Sequence, residues 1–142
     1  MFISKFSVEH WLGNQNRGCV EQAQSWLEIE AAIKELDGQR KTLVTLETEG
    51  ETHMAIGGGI QKYVVYVTFD NDNFHYLVDP SKSDTDETVI VGGQEGIYPA
   101  KSCIDLNRTL KAAKTFAELG TMEKSVIWEQ DGVVEPVYSN PK

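Results

Sequence analysis

The chain changes its hydrophobic period four times, and the changes mark out its elements. Residues 2–8 alternate, with Phe2, Phe6 and Val8 on one side and Ser7 on the other, which predicts a strand. A polar loop follows from Gly13 to Gly18. Ser25 then precedes Trp26-Leu27-Glu28, so a serine N-cap and a glutamate three residues on can form a capping box. Behind it Trp26, Ile29, Ile33 and Leu36 recur at helical spacing, and Asp37-Gly38 supplies the stop, predicting a helix.

From Thr42 the period returns to two. Strands are predicted at 43–48, 53–56, 63–69, 74–78 and 88–91, with turns at Glu49-Gly50-Glu51 and Asn71-Asp72-Asn73. Asp79-Pro80-Ser81 breaks the fourth of these, and a polar loop runs to Glu87. Asp105 is a suitable N-cap for a second helix, which puts Leu106, Leu110, Ala113 and Phe116 or Ala117 on one face. Arg108, Lys111 and Lys114 lie on the other face, and Gly120 ends the helix. Ser125-Val126-Ile127-Trp128 forms a short last strand. Two helices separated by hairpin-linked strands predict an α+β fold, a largely antiparallel sheet packed against two α-helices. We expect a single domain over 1–135 and a loose tail over 136–142, which carries Pro136 and Pro141.

Charge changes the picture more than composition does. Hydrophobic residues make up 40% and charged residues 25%, as in ordinary globular domains. Twenty-two acidic residues against thirteen basic ones leave the chain at −9. Nine of the acids and two lysines fall between Glu47 and Glu87, so this middle stretch alone carries −7. Such a surface opposes nucleic acid, which is held by clustered Lys and Arg, and attracts a basic protein. No apolar run is long enough to span a membrane, and the N-terminus lacks the apolar stretch of a signal peptide. The expected compartment is the cytoplasm. Cys19 and Cys103 are expected there as reduced, packed thiols, although one disulfide between them remains an alternative.

Candidate chemistry is sparse. Gly57-Gly58-Gly59 lacks the spacing and following helix of a phosphate cradle, and a bend or bulge accounts for it. His10, His53 and His75 have no metal-ligand spacing, although His53 and His75 could approach each other. Cys103 has no activating base nearby in sequence, and no pair of carboxylates is singled out by spacing. Trp26 and Trp128 fall on apolar faces, whereas Trp11 lies beside a polar loop and is expected to be exposed. No catalytic residue, metal or cofactor is assigned, and a non-enzymatic binding role is expected. The competing readings are a small enzyme or ligand-binding domain with a pocket between sheet and helices, and an adaptor with some other partner.

One ordered set of motifs goes further. Met54-Ala55-Ile56-Gly57-Gly58-Gly59 is followed by Tyr63-Val64-Val65 and then by Phe74-His75-Tyr76-Leu77-Val78-Asp79-Pro80. After an acidic loop come Val91-Gly92-Gly93-Gln94-Glu95-Gly96-Ile97-Tyr98-Pro99-Ala100, the helix around Leu110-Lys111-Ala112-Ala113-Lys114-Thr115-Phe116, Gly120 and Trp128. In this order they resemble the immunity-protein family of bacterial polymorphic toxin systems found beside deaminase toxins, the first-numbered Imm family. The resemblance covers a little over half the chain, with the first 50 residues similar only in outline. It implies a protein that binds a cognate toxin domain, expected to be a basic, zinc-dependent nucleic-acid deaminase, and blocks its substrate site. The motif residues would then be scaffold, and specificity would lie on variable surface. The expected partner-contacting residues are Asp70, Asp72, Asp84, Asp86 and Glu87, with Tyr76 and Trp11 as aromatic anchors.

Overall fold

The computed structural model describes residues 1–83, 85–130 and the backbone of 133–134. The expected tail at 136–142 lies outside the described residues. Strands β1 (Lys5–Leu12), β2 (Gln15–Asn16) and β3 (Cys19–Gln22) precede helix α1 (Trp26–Lys34). Then come β4 (Lys41–Glu47), β5 (His53–Gly59), β6 (Lys62–Thr68) and β7 (Phe74–Val78). The hairpin β8 (Asp86–Val91) and β9 (Gln94–Pro99) leads through a single 3₁₀ turn to α2 (Leu106–Leu119), β10 (Ile127–Gln130) and β11 (Val133–Val134). Among the described residues this is an α+β architecture: a nine-stranded antiparallel sheet ordered β11-β10-β7-β6-β5-β4-β1-β2, with β3 also on β1, and a separate two-stranded sheet β8-β9.

Both predicted helices are present for the reasons their sequences suggest. The Glu28 carboxylate accepts from the amides of Ser25 (3.3 Å) and Gln24 (2.6 Å), the back-reaching arm of a capping box. At α2 the Asp105 carboxylate accepts from the Arg108 amide at 2.8 Å. Both helices cover one face of the sheet. Ile29, Ile33, Ala113 and Phe116 pack there against Val44, Leu46, Met54, Ile56, Val65, Val67 and Leu77, with Trp128 closing one side. The strict alternation of β4, with Thr42, Val44 and Leu46 buried, sorts the sheet into this packed face and a second one. Apolar side chains thus pack the interval between sheet and helices.

Several expectations need correction. The first strand runs from Lys5 rather than from residue 2, and Phe2 instead packs edge-on against Phe116 at 5.9 Å between centroids. Strands β2, β3, β9 and β11 were not expected, and β10, the strand expected to be the last, begins two residues after Ser125. Strand β5 does not stop at Ile56 but continues through all three glycines, which pair with Val64, Tyr63 and Lys62 of β6. Both cysteines are free, but only Cys103 is packed while Cys19 is exposed. His53 and His75 lie on opposite faces of the sheet, His53 ring-to-ring with Tyr66 and His75 with Phe69.

The β5–β6 turn holds Ile60 and Gln61, both at positive φ (55° and 63°). This is the geometry of a two-residue hairpin turn that favours Asn-Gly. Gln61 has a use there, because its side-chain oxygen accepts from the Leu106 amide at 3.1 Å and ties the turn to the start of α2. Ile60 is 70% exposed and β-branched, so it carries the left-handed strain without burial in return. Ile60→Asn should therefore raise stability by about 1 kcal/mol, read as a higher urea midpoint at unchanged m. An unchanged or lower midpoint would mean that the turn is not strained.

Candidate partner-binding groove

The second face of the sheet is only partly covered. Hairpin β8-β9 lies across the glycine stretch of β5 and the adjoining part of β6, and Val64, Val89 and Cys103 form a small cluster beneath it with Val91 and Tyr98. The approach needs bare backbone. A Cβ on Gly57 would overlap the Val91 methyls, and one on Gly58 would stand 2.9 Å from Val89 Cγ1. The tip of the hairpin is fastened by the Gly93 amide, which donates to Thr42 Oγ1 at 2.9 Å.

What the hairpin leaves uncovered is a groove of about 530 Å³. Its floor is made by the small side chains of Ala55, Gly57 and Thr45. One wall is Tyr66 and Tyr76, neighbours in register on β6 and β7 with ring centroids 5.8 Å apart, together with Tyr98 from β9. The opposite wall is Leu43 with Glu9 and Trp11 of β1. The Trp11 indole N–H donates to Glu9 Oε1 at 2.8 Å. Its ring lies so close to Gly93 that a Cβ there would stand 2.6 Å from Cε2. Trp11 is thus half-buried and held at the groove wall, not exposed as expected.

Beyond Thr45 and His53 the face continues into a shallower hollow of about 360 Å³ lined by Glu47, Glu51 and Asn71. His53 Nδ1 faces the Glu51 carbonyl at 2.9 Å and its Nε2 faces the Tyr66 hydroxyl at 3.1 Å. A carbonyl can only accept, so Nδ1 carries a proton, and in the neutral ring the Tyr66 hydroxyl donates to Nε2. Burial pushes the Tyr66 and Tyr98 hydroxyls above the ordinary tyrosine range, with Tyr76 nearby adding to the effect. Tyr66 and Tyr98 therefore stay neutral at physiological pH. Among the described residues neither hollow is lined by a Lys or Arg, although Lys5 stands opposite Glu47 in the β1–β4 register.

The expected contact residues are not gathered in one place. Trp11 and Tyr76 line the groove together. Asp70 and Asp72 sit at the β6–β7 turn, and Asp86 and Glu87 begin β8 near the other end of β6, roughly 20 Å away by strand rise. Asp84 lies outside the described residues. Two of these acids have internal work. Glu87 is paired with Lys62 at 2.7 Å. Asp70 accepts from the amides of Asp72 (2.9 Å) and Asn73 (2.8 Å) and from the Asn73 side chain (2.7 Å), so it builds the turn. Sequence reasoning passed over Tyr66, Tyr98, Glu9 and His53. The signal for Tyr66 was present, since it falls out of phase with Val65 and Val67 and so belongs to the face away from the core.

Among the described residues no three His, Cys, Asp or Glu side chains converge as a metal site requires. Burial raises the pKa of the Cys103 thiol, the reverse of what a nucleophile needs. No helix among the described residues is long and apolar enough to cross a membrane.

The class that emerges is an α+β domain whose sheet gives one face to its helices and the other to an open groove of tyrosines, a tryptophan and carboxylates. The chain belongs to the immunity-protein family described as Immunity protein Imm1, which it matches over residues 17–130. That match includes β3 and α1, well before the motifs that begin at Met54. Comparison with curated proteins and with solved structures returned no match.

Hydrogen bonds to its carboxylate hold Asp70 down at about 2. A depressed carboxyl stabilises the fold above its unfolded pKa of 3.8, and that contribution is lost as pH falls through the folded value near 2. Asp70→Asn should therefore cost stability at pH 7 and progressively less between about pH 4 and pH 2. A cost that does not shrink with acidification would show that the charge on Asp70 is not what holds the turn.

Proposed function

We propose that this chain neutralises a cognate toxin domain by lying over its substrate cleft, with the groove between Trp11 and Tyr76 at the centre of contact. Family membership supplies the kind of partner, and the open aromatic face is the observation that carries the reading. Tyr and Trp anchors in a hollow dominate the energy of protein interfaces, while charges around them set encounter rate and specificity. A stable complex would bury about 1,600 Å² or more, which a groove and its rims can provide.

The toxin chemistry we favour is nucleic-acid deamination. Such an enzyme draws a base into a zinc-bearing pocket and needs a basic groove for the polyanion. A chain at −9 is drawn to that groove and excludes the substrate without chemistry of its own, so the protein acts as an inhibitor and not as an enzyme. It would do so in the cytoplasm, where incoming toxin meets its target. In this arrangement Asp70, Asp72, Asp84, Asp86 and Glu87 are peripheral charges that steer, and Trp11 and Tyr76 anchor.

Co-expression with the toxin domain encoded beside this chain should rescue growth and yield a complex on purification. Trp11→Ala with Tyr76→Ala should weaken that complex by about 100-fold or more and abolish rescue, while Lys114→Ala on the helix face changes neither. A double variant that is folded and binds as well as the parent would sink the groove as the centre of contact. Assay of the freed toxin on cytosine- and adenine-containing DNA and RNA then tests the deaminase assignment.

A further inference from the structure

The groove has a direction. Its lining residues come in turn from β7 (Tyr76), β6 (Tyr66), β5 (Ala55), β4 (Leu43) and β1 (Trp11), so it runs across the strands of the sheet. Four strand spacings make it about 19 Å long, the reach of an extended segment of about six residues. Hairpin β8-β9 crosses the same strands beside it. Glu87 meets Lys62 of β6, Val91 lies on Gly57 of β5, and Gly93 touches Trp11 of β1. Strand β9 is the one that borders the groove. Both Gln94 and Tyr98 line it, whereas Glu87, opposite Tyr98 on β8, reaches back to Lys62 at the end of the sheet.

That border is an unpaired backbone edge. Gly92 and Gly93 both have positive φ (61° and 77°), the two-residue turn whose flanking pair, here Val91 and Gln94, exchanges both backbone hydrogen bonds. Alternation along the ladder then turns the N–H and C=O of Gly96 and Tyr98 toward β8, and those of Glu95 and Ile97 away from it. Among the described residues β9 pairs with β8 alone, and Ile97 is 72% exposed. Such an edge is a template for another strand. Strand β3 also pairs on one side only, but no residue of it lines the groove.

We propose that an extended segment of the toxin adds to β9 as a third strand of the hairpin and lies along the groove. Its backbone bonds the N–H and C=O groups of Glu95 and Ile97. Its alternate side chains, apolar or aromatic, point down onto Ala55 and Gly57 between the tyrosine wall and Trp11. Main-chain bonds then supply affinity, and the groove reads every second side chain. Pro99, with no N–H to give, limits the pairing at one end of β9, and the Gly92-Gly93 turn limits it at the other. Glu95, exposed beside Ile97, favours a basic residue on the outward side of the added strand. This deepens the docking reading above and rests on it.

The test is amide hydrogen exchange, followed by NMR on the intact chain alone and in complex with the toxin domain encoded beside it. In the free chain Glu95 and Ile97 should exchange fast, while Gly96 and Tyr98, bonded to β8, exchange slowly. In the complex Glu95 and Ile97 should slow by at least about 10-fold, an alternation that mere covering of the surface does not produce. Ile97→Pro removes one edge N–H, a change that edge strands tolerate. It should weaken the complex at least about 10-fold more than Ile97→Ala, which keeps the N–H. If Ile97→Pro fails to fold, exchange in the parent chain decides. Glu95 and Ile97 amides that are already slow in the free chain, or that stay fast in the complex, overturn the strand addition, as do equal affinities of the two variants. Any of these results leaves the immunity reading standing, whereas failure to form a complex at all overturns both.

Discussion

Everything on the open face follows from one steric constraint, the need for a second layer to lie directly on bare sheet backbone. Hairpin β8-β9 can approach β5 only where β5 has no side chains, and Gly57 and Gly58 provide that stretch. The hairpin is thereby parked over one end of the sheet, with its tip fastened to Thr42. The remainder of the face is left as a groove whose third wall is the hairpin itself. Shift the glycines along β5 and the groove would move or close. The same closeness recurs at the tip, where Gly93 accepts the flat face of Trp11 and so fixes the opposite wall.

The two faces of the sheet are chemically opposite, and the difference separates stability from recognition. On the helix side, aliphatic residues and Phe116 are fully buried, and burial of this kind stabilises a domain by about 1.5–3 kcal/mol for each large side chain. On the groove side, tyrosines keep their hydroxyls near water while their rings lie on small residues. Such surface gains little on folding alone and much on covering by a partner, which is the pattern of a binding site. The charge agrees with this division. Acids lie along the groove face and at both ends of it, whereas Arg108 is turned to the structural carboxylates Asp79 and Asp105.

The parts of this design that depend on local chemistry could be read from the sequence. Ser25 with Glu28, Asp105 and Gly120 mark the helices because caps act over three or four residues. Alternation in β4, β6 and β7 shows the strands and, in principle, which face Tyr66 and Tyr76 share. The parts that depend on distant partners were hidden. Strand β3 is wholly exposed and shows no apolar period, and β9 reads as a loop because its apolar residues are few and Gly96 interrupts them. The glycine run looked like a strand terminator, since only the hairpin lying over it reveals why a strand would continue through glycines. Acid counts likewise could not show that Asp70 is used by its own turn or that Glu87 is held by Lys62.

The central claim is that the toxin covers the groove face and not the helix face. Hydroxyl-radical footprinting of the chain alone and in complex with its cognate toxin domain tests it most directly, because it reports side-chain cover residue by residue. The account predicts that oxidation of Trp11, Tyr66, Tyr76 and Tyr98 falls sharply in the complex. Phe2, Leu27 and Leu119, exposed on the helix side, should keep the rates they have in the free protein. Loss of oxidation at Leu27 and Leu119 with the groove aromatics unchanged would contradict it.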